Sequence, residues 1–274
     1  MKLIAKGKAL VWPRIPVIMG IVNLGADSFS GDGLSDVEEA LASARRLIRD
    51  GAEIIDVGAE SARTNRAVIC EAEETARLLA FVSRWKGEAL LSINTWRPAV
   101  ARAVLAMGGD LLNDLSALAS GENARICAEV GAALLIMHSA GEPKVAHTHV
   151  SYPDVMAELE RFFCEKLALA ESAGLSREAI LLDPGIDFAK QREDNLRIFR
   201  ELQRLHQFGR PILLPVSRKT VIGEVLGIEK PANRDAGTVA CIVQGMLKGA
   251  HIFRVHNVRA AQQAIQTIAA IEAA

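Results

Sequence analysis

The chain has 274 residues, half of them hydrophobic, and a formal net charge of -1 at pH 7. This length suits one large domain, and the near-neutral charge argues against nucleic acid as a partner and against a basic membrane anchor. No apolar run reaches the roughly 18 residues of a membrane helix, and the amino terminus lacks the apolar segment of a signal peptide. Four scattered cysteines without a C-x-x-C pair predict buried or half-buried free thiols. These features predict a cytoplasmic protein without disulfides.

Eight apolar runs alternate with stretches of helical character along the chain. Such runs, rich in Val, Ile and Leu, are typical of parallel strands that are buried on both faces. The predicted strands are 17–23, 54–58, 90–94, 111–114, 134–138, 180–183, 212–219 and 252–256. The predicted helices are 36–50, 70–82, 97–107, 122–129, 153–173, 193–206, 234–248 and 259–271. Eight repeats without a linker predict an α/β protein, a (β/α)8 TIM barrel with one domain over residues 1–274.

Each of the eight apolar runs ends at polar residues. The carboxyl ends of barrel strands meet at one mouth, and the active sites of such barrels lie there. The first candidates are therefore Asn23, Asp56, Asn94, Asn113, Asp114, His138, Asp183, Lys219, Arg254 and His256. Amide and carboxylate side chains at this mouth can bond in pairs to the donor and acceptor edge of a planar heterocycle. Any one of them alone could instead cap the following helix.

Arg254 and His256 lie two residues apart, so they point to the same face of the last strand. An arginine inside a barrel needs a carboxylate or an anionic ligand as its partner. The residues from Ser217 to Thr220, after the seventh strand, add cations and hydroxyls beside it, at the end of the barrel where many such folds bind phosphate. The pattern favours an anion site; the alternative is an Arg–Asp pair that holds the rim.

Other histidines of the chain give weaker indications. His147 and His149 could bind a metal, but no carboxylate or cysteine joins them at ligand spacing, which favours a solvated loop. His138 either lines the mouth or is a satisfied histidine of the rim. His206 and His251 lie away from the predicted mouth, and we expect structural roles for both.

Two strand-to-helix loops, 24–35 and 58–69, are long enough to be lids or binding segments, and residues 141–152 form a third candidate. Neither a G-x-G-x-x-G nor a G-x-x-x-x-G-K-[ST] pattern is present, so the sequence supports no dinucleotide or P-loop site.

Seven segments in chain order carry a resemblance to a known family. They are M-G-I-V-N-L-G-A-D-S-F-S (19–30), D-V-G-A-E-S-A-R (56–63), S-I-N-T (92–95), N-D-L-S (113–116), L-D-P-G-I-D-F (182–188), S-R-K-T (217–220) and R-V-H (254–256). Nearly the whole chain thereby resembles dihydropteroate synthases. The resemblance implies a transferase of folate biosynthesis that joins p-aminobenzoate to 7,8-dihydropterin-6-ylmethyl pyrophosphate and releases pyrophosphate. It also implies Mg²⁺ as the cofactor and a homodimer.

The resemblance implies a role for each matching residue. The positions that bind pterin are Asn94, Asn113, Asp183, Lys219 and Met137. The positions that bind pyrophosphate are Asn23, Arg254 and His256, of which Asn23 is also the metal ligand. The p-aminobenzoate positions are Ala62, Thr64, Phe188, Ser217 and Thr220. The catalytic positions are Asp27 and Arg63, in the two long loops, together with Lys219, Arg254 and His256.

The chain departs from the family at several of these positions. Asn94 stands where the family usually has Asp, so it still bonds to pterin but brings no negative charge to oppose a developing cation. A lost electrostatic stabiliser of this kind predicts a rate lower by on the order of 10²-fold. Gly25-Ala26-Asp27 replaces Thr-Pro-Asp, Ala62-Arg63-Thr64 replaces Thr-Arg-Pro, and Asp187 replaces a Gly.

Three interpretations follow from these departures, which change the p-aminobenzoate end and leave the pyrophosphate end intact. The favoured one is a working synthase with an altered p-aminobenzoate pocket and weakened sulfonamide binding. The second is a paralogue that binds pterin but uses another nucleophile or lacks the condensation activity. The third is a pterin-dependent methyltransferase barrel of the corrinoid type, whose substrate has no anionic leaving group for the cations to bind.

Overall fold

The computed structural model describes residues 1–25, 36–60, 68–141, 143–145 and 149–274. The strands in these residues are Lys2–Ala5 (β1), Lys8–Val11 (β2), Val17–Asn23 (β3), Ile54–Gly58 (β4), Leu90–Asn94 (β5), Leu111–Asp114 (β6), Ala133–Met137 (β7), Ile180–Asp183 (β8), Leu213–Leu214 (β9) and Ile252–Val255 (β10). The α-helices are Val37–Arg49 (α1), Glu71–Val82 (α2), Pro98–Met107 (α3), Glu122–Val130 (α4), Val155–Ser172 (α5), Arg192–Glu201 (α6), Thr220–Leu226 (α7), Asp235–Leu247 (α8) and Val258–Glu272 (α9). Short 3-10 helices span Arg177–Ala179, Leu202–Phe208 and Pro231–Arg234.

Strands β3 to β10 form one parallel sheet in the order β8-β7-β6-β5-β4-β3-β10-β9. A parallel bridge between Leu182 and Ile212 joins β8 to the start of β9. The backbone N–H of Leu182 also donates to the carbonyl of Pro211 at 2.9 Å. The sheet therefore closes on itself, which confirms the predicted single-domain (β/α)8 TIM barrel.

Alternation along each strand decides which residues point into the barrel. In β4, Ile55 and Val57 are buried on the helix side, while Asp56 between them points inward and bonds to side chains of β5, β6 and β10. The parallel register aligns Asn94 with Asn113 and Met137 with Asp183. Polar residues at the inward positions near the strand ends thus share one mouth.

An antiparallel hairpin, β1–β2, covers the opposite end of the barrel and was not predicted from the sequence. Lys6 and Gly7 form its turn, and both have positive φ, 47° and 79°. The backbone N–H of Lys6 donates to the carbonyl of Gly131 at 2.7 Å, and Lys8 pairs with Asp110 at 2.9 Å. Gly131 and Asp110 precede β7 and β6, so the hairpin closes the amino-terminal end of the barrel.

The seventh predicted strand, 212–219, was too long, because only Leu213–Leu214 forms a strand there. Pro215 has no N–H for the ladder, and Arg218 has a left-handed φ of 57°. The chain therefore leaves the sheet early and enters α7, a short helix that was not predicted.

In the described part of the chain, no helix is long and apolar enough to cross a membrane. All four cysteines are free. Cys127 is buried and Cys241 half-buried as predicted, but Cys70 and Cys164 are exposed, so the prediction was wrong for these two.

Candidate active site

Asp56 lies at the centre of the mouth and is fully buried. Its carboxylate accepts hydrogen bonds from Ser92 Oγ at 2.5 Å, from Asn113 Nδ2 at 3.2 and 3.3 Å, and from Arg254 Nε at 2.7 Å. These donors belong to β5, β6 and β10, so one carboxylate holds the ends of four strands together. Asp56 was a candidate in the sequence but received no role. The signal that pointed to it was the inward-facing arginine, which needs a carboxylate.

Arg254 uses Nε to bind Asp56, so the Arg–Asp pair that we weighed against an anion site is present. The side chain of Arg254 is 22% exposed. Within the described residues, no acceptor contacts its two Nη groups, which carry four of the five guanidinium N–H bonds. The pair and an anion site are therefore compatible, since Asp56 fixes one edge of the guanidinium and leaves the other edge to a ligand.

His256 follows directly after β10 and contacts the segment after β9. Ser217 Oγ lies 2.8 Å from His256 Nδ1, and the backbone N–H of His256 donates to the same Oγ at 3.2 Å. These two bonds hold His256 against Ser217. Arg254 lies two residues before His256, so the two side chains point to the same side of the mouth.

Asn94 and Asn113 are adjacent in the register and nearly buried, with 8% and 2% of their surfaces exposed. Within the described residues the Oδ1 atoms of both amides are buried and have no hydrogen-bond partner. A buried acceptor without a partner costs about 1–3 kcal/mol. Two such acceptors side by side indicate a ligand that donates N–H bonds at this place.

Asp183 ends β8 on the other side of the mouth, beside the buried Met137. Burial raises the pKa of the Asp183 carboxyl to about 6. The N–H of Gly185, which donates to Asp183 Oδ1 at 2.7 Å, and the charges of Lys219, Lys190 and Arg254 oppose this rise. Above that pH, Asp183 is a charged acceptor facing the ligand site.

Lys219 connects the β8–α6 loop to the start of α7. Its Nζ donates to the carbonyl of Ile186 at 2.7 Å and lies 4.8 Å from the centre of the Phe188 ring. Thr220, the first residue of α7, is exposed. Lys219 thus lies against Phe188 and next to Thr220, at the carboxyl-terminal rim of the barrel.

Lys190 is a residue of this loop that the sequence analysis missed. Its Nζ contacts His138 Nδ1 at 2.8 Å and the carbonyls of Phe188 and His138 at 3.0 and 3.4 Å. Burial lowers the pKa of Lys190 to about 7, and burial also lowers the pKa of His138 far below its ordinary value. His138 is thus a neutral, satisfied histidine between the rings of Phe162 and Tyr152, which answers the alternative left open above.

Asp114 does not point into the mouth. The prediction that its side chain lies there with the other strand-end amides and acids was wrong. Asp114 follows the inward-facing Asn113 by one residue, so it points outward to the helices. Its Oδ1 accepts from the N–H of Ser116 at 2.8 Å. Burial, together with the nearby Asp114, raises the pKa of the Cys127 thiol in α4. His206 and His251 pack on each other near the hairpin, consistent with structural roles.

Asp27, Ala62, Arg63, Thr64 and His147 lie outside the described residues. Asn23 ends β3 beside Gly58 and is half-buried. Among the residues that the structure describes, no group of three His, Cys, Asp or Glu side chains could hold a metal ion. Within those residues Asn23 offers one amide oxygen at the mouth, and oxygen is the donor atom that Mg²⁺ takes in proteins.

Comparison with known proteins relates this geometry to a family. Residues 19–256 match the family model described as pterin binding enzyme. Over 273 residues the chain is 37% identical to the dihydropteroate synthase of Escherichia coli K12, which covers 98% of this chain and 96% of that protein. The structure of the Xanthomonas albilineans dihydropteroate synthase with 4-aminobenzoic acid is similar with a TM-score of 0.90 at 34% identity, over 100% of both chains. The structure of that enzyme with 7,8-dihydropteroate has a TM-score of 0.88 at 35% identity, again over 100% of both chains.

Proposed function

Since the chain belongs to the family of pterin-binding enzymes, we propose that it catalyses the dihydropteroate synthase reaction. In this reaction 7,8-dihydropterin-6-ylmethyl pyrophosphate and p-aminobenzoate condense, and pyrophosphate is released. Relatives that carry out this transfer match nearly the whole chain, and related structures hold 4-aminobenzoic acid and 7,8-dihydropteroate. They bear out the transferase function predicted from the sequence and favour it over the corrinoid methyltransferase.

The pair of unpartnered amide oxygens on Asn94 and Asn113 carries the proposal for pterin. A pterin ring presents N–H and N–H₂ donors along one edge, which matches two buried acceptors and a carboxylate. Asp183 supplies the carboxylate, and Met137 beside it offers a buried apolar surface to the ring. Lys219, whose charge reaches Asp183, completes the pterin group.

The cationic side of the mouth is assigned to the pyrophosphate. The outer edge of the Arg254 guanidinium and the His256 ring would bind its oxygens, and Asn23 would be the protein's ligand to Mg²⁺. When bound, Mg²⁺ would neutralise charge on the leaving pyrophosphate. Asp56 orients Arg254 by accepting from its Nε at 2.7 Å, so this cation is fixed before the substrate arrives.

The chemical step follows from this arrangement. As the bond to pyrophosphate breaks, positive charge develops on the pterin methylene. The charged Asp183 carboxylate in the same mouth stabilises this positive charge. The arylamine then attacks that carbon and loses a proton. Phe188, Ser217 and Thr220 are assigned to hold the arylamine, with Ala62 and Thr64 from the second long loop. Asp27 and Arg63 are assigned to the loops that keep water away.

The homodimer, the Mg²⁺ requirement and the cytoplasmic location are parts of this proposal that rest on the family resemblance and on composition. The roles of the individual site residues are likewise part of the proposal.

The first experiment measures pyrophosphate release from 7,8-dihydropterin-6-ylmethyl pyrophosphate with Mg²⁺, with and without p-aminobenzoate. We expect release only when p-aminobenzoate is present, with formation of dihydropteroate. Tight pterin binding without p-aminobenzoate-dependent release would instead support the paralogue that uses another nucleophile.

A pair of variants tests the pterin assignment directly. Asn113→Ala removes one of the two acceptors, so we expect pterin affinity to fall by about 10- to 100-fold. Asn123→Ala is the matched control, because Asn123 in α4 is equally buried, at 3% exposed, but bonds to the carbonyl of Trp96 outside the mouth. Equal losses in both variants, measured by titration calorimetry, would reject the assignment.

A further inference from the structure

The β8–α6 loop contains a residue in a backbone conformation that ordinary side chains avoid. Asp187 has a φ of 68°, in the left-handed region, and two more non-glycine residues at this rim share it: Ala189 at 49° and Arg218 at 57°. Such a conformation costs an L-residue about 1 kcal/mol, and it persists only where surrounding contacts impose it. The contacts made by Asp187 therefore need an explanation.

Asp187 connects two helices through separate groups. Its backbone N–H donates to Asn195 Oδ1 of α6 at 2.8 Å, and Asn195 is itself buried and bonds to the carbonyl of Gln191 at 3.0 Å. Its carboxylate accepts from the backbone N–H of Thr220 and, at 3.2 Å, from that of Val221. These are the first two residues of α7, whose own N-cap residue, Lys219, makes no side-chain capping bond.

The neighbours of Asp187 reinforce this connection. Ile186 accepts from Lys219 Nζ at 2.7 Å, and the Phe188 ring lies beneath the same ammonium group. Three consecutive loop residues thus contact three consecutive residues at the start of α7. Phe188 and Thr220, both assigned above to the p-aminobenzoate pocket, belong to these two segments.

We propose that Asp187 is a positioning residue that fixes the start of α7 against the β8–α6 loop and thereby sets the affinity for the arylamine substrate. It touches neither reacting atom, so it acts on the arrangement of Phe188 and Thr220 and leaves the chemical step unchanged. This inference rests on the proposed function for its substrate. A glycine would adopt the same φ without cost but would supply no carboxylate. Asp187 accepts the backbone strain and in return bonds the loop to the start of α7.

The test compares Asp187→Gly and Asp187→Asn with the parent enzyme. The glycine variant keeps the φ and loses both carboxylate bonds, so we expect KM for p-aminobenzoate to rise by on the order of 10-fold. We expect kcat and KM for the pterin substrate to stay within about twofold. The asparagine variant tolerates the φ and keeps one amide oxygen as acceptor, so its KM for p-aminobenzoate should lie between the two.

Lys6→Gly is the matched control, because Lys6 also has a left-handed φ, 47°, but lies in the hairpin at the other end of the barrel. Its kinetic constants should equal those of the parent. An unchanged KM for p-aminobenzoate in Asp187→Gly, or a parallel loss of kcat, of pterin affinity and of thermal stability, would overturn the proposal.

Amide hydrogen exchange separates this inference from the proposed function. Asp187→Gly should speed exchange at Thr220 and Val221, whatever substrate the enzyme uses, while Lys6→Gly should leave it unchanged. Faster exchange in an enzyme that does not turn over p-aminobenzoate would reject the function and keep the connection. Unchanged exchange would reject the connection itself.

Discussion

The charged form of Asp183 is disfavoured by burial in the folded protein, but the proposed pterin ligand needs a charged acceptor at this position. Its pKa is raised by burial from an ordinary 3.8 to about 6. Because the folded-state pKa lies above the unfolded value, this group's contribution to stability is full below about pH 4 and is lost as the pH rises through about 6. A rise of this size corresponds to roughly 3 kcal/mol at neutral pH, taken as an upper bound.

Asp183→Asn should therefore stabilise the free protein at neutral pH, by up to roughly 3 kcal/mol, and weaken pterin binding at least about 10-fold. The stability difference should vanish below about pH 4, where the aspartate is protonated. Urea unfolding at both pH values, with pterin titrations, measures these effects. A variant that is less stable than the parent at neutral pH would show that the cations around Asp183 outweigh its burial.

Asn94 places an amide where the family resemblance implies a carboxylate, in a mouth where positive charge develops during the proposed reaction. Asn94→Asp should raise kcat with p-aminobenzoate by up to about 100-fold, because a charge is added near the reacting carbon. Steady-state rates with saturating substrates test this. A lower kcat would mean that the amide has been recruited for another reaction, as in the paralogue interpretation.

Residues at strand ends were predictable, while residues in loops were not. A polar side chain that ends a buried apolar run points to the mouth when its position alternates correctly, which identified Asn94, Asn113, Asp183 and Arg254. The alternation of side chains along β6 also excludes Asp114 from the mouth, because it follows the inward-facing Asn113. Its position at a strand end did not by itself exclude it. Lys190 lies in a loop whose path depends on α6 and α7, so no local pattern marks its partners.

The β8–α6 loop is the element on which both the pterin and the p-aminobenzoate groups depend, and Gly185 is its tightest point. A Cβ on Gly185 would lie 1.9 Å from the carbonyl oxygen of His138 and 3.3 Å from Lys190 Nζ, at a φ of 70°. Gly185→Ala must therefore displace either the loop or the end of β7.

We expect Gly185→Ala to cost several kcal/mol of unfolding free energy, of which roughly 1–2 is backbone strain and the rest overpacking. Gly174→Ala is the control for strain alone, because Gly174 has a φ of 92° but its Cβ would lie 4.0 Å from Ala128. The control should lose about 1–2 kcal/mol. Equal losses in urea unfolding would mean that the loop moves aside without cost.

Strands with fully buried apolar runs were predictable even when short, as β6 and β8 show, whereas the hairpin and α7 were not. Buried strands such as β4 and β5 have the predicted bounds, because their apolar residues and their ends coincide. The hairpin strands have four residues each, and α7 has seven, so each spans only about two periods of its pattern. Their conformation comes from contacts with distant residues, such as Gly131 and Asp187.

At the scale of the whole molecule, exposed apolar side chains occur on three consecutive outer helices. Leu226 of α7, Leu247 of α8 and Ile271 of α9 are each about half exposed or more. If the chain forms the homodimer that is proposed from the resemblance, we expect these side chains in its interface.

Sedimentation velocity should therefore show a dimer, and Leu247→Glu should shift it to a monomer. Met107→Glu is the control, because Met107 is exposed to a similar degree but belongs to α3, on another part of the barrel. A dimer that survives the change at Leu247 would place the interface elsewhere.

The hairpin β1–β2 covers the amino-terminal end of the barrel, so within the described chain ligands enter and leave only at the mouth. Asn94 and Asn113 are buried below the mouth, while Thr220 is exposed at its edge. A molecule bound at the edge would block the path of one that must pass to the bottom. We therefore expect ordered binding, in which the pterin substrate binds before the arylamine. Equilibrium titrations that show productive binding of p-aminobenzoate to the empty enzyme would contradict this order.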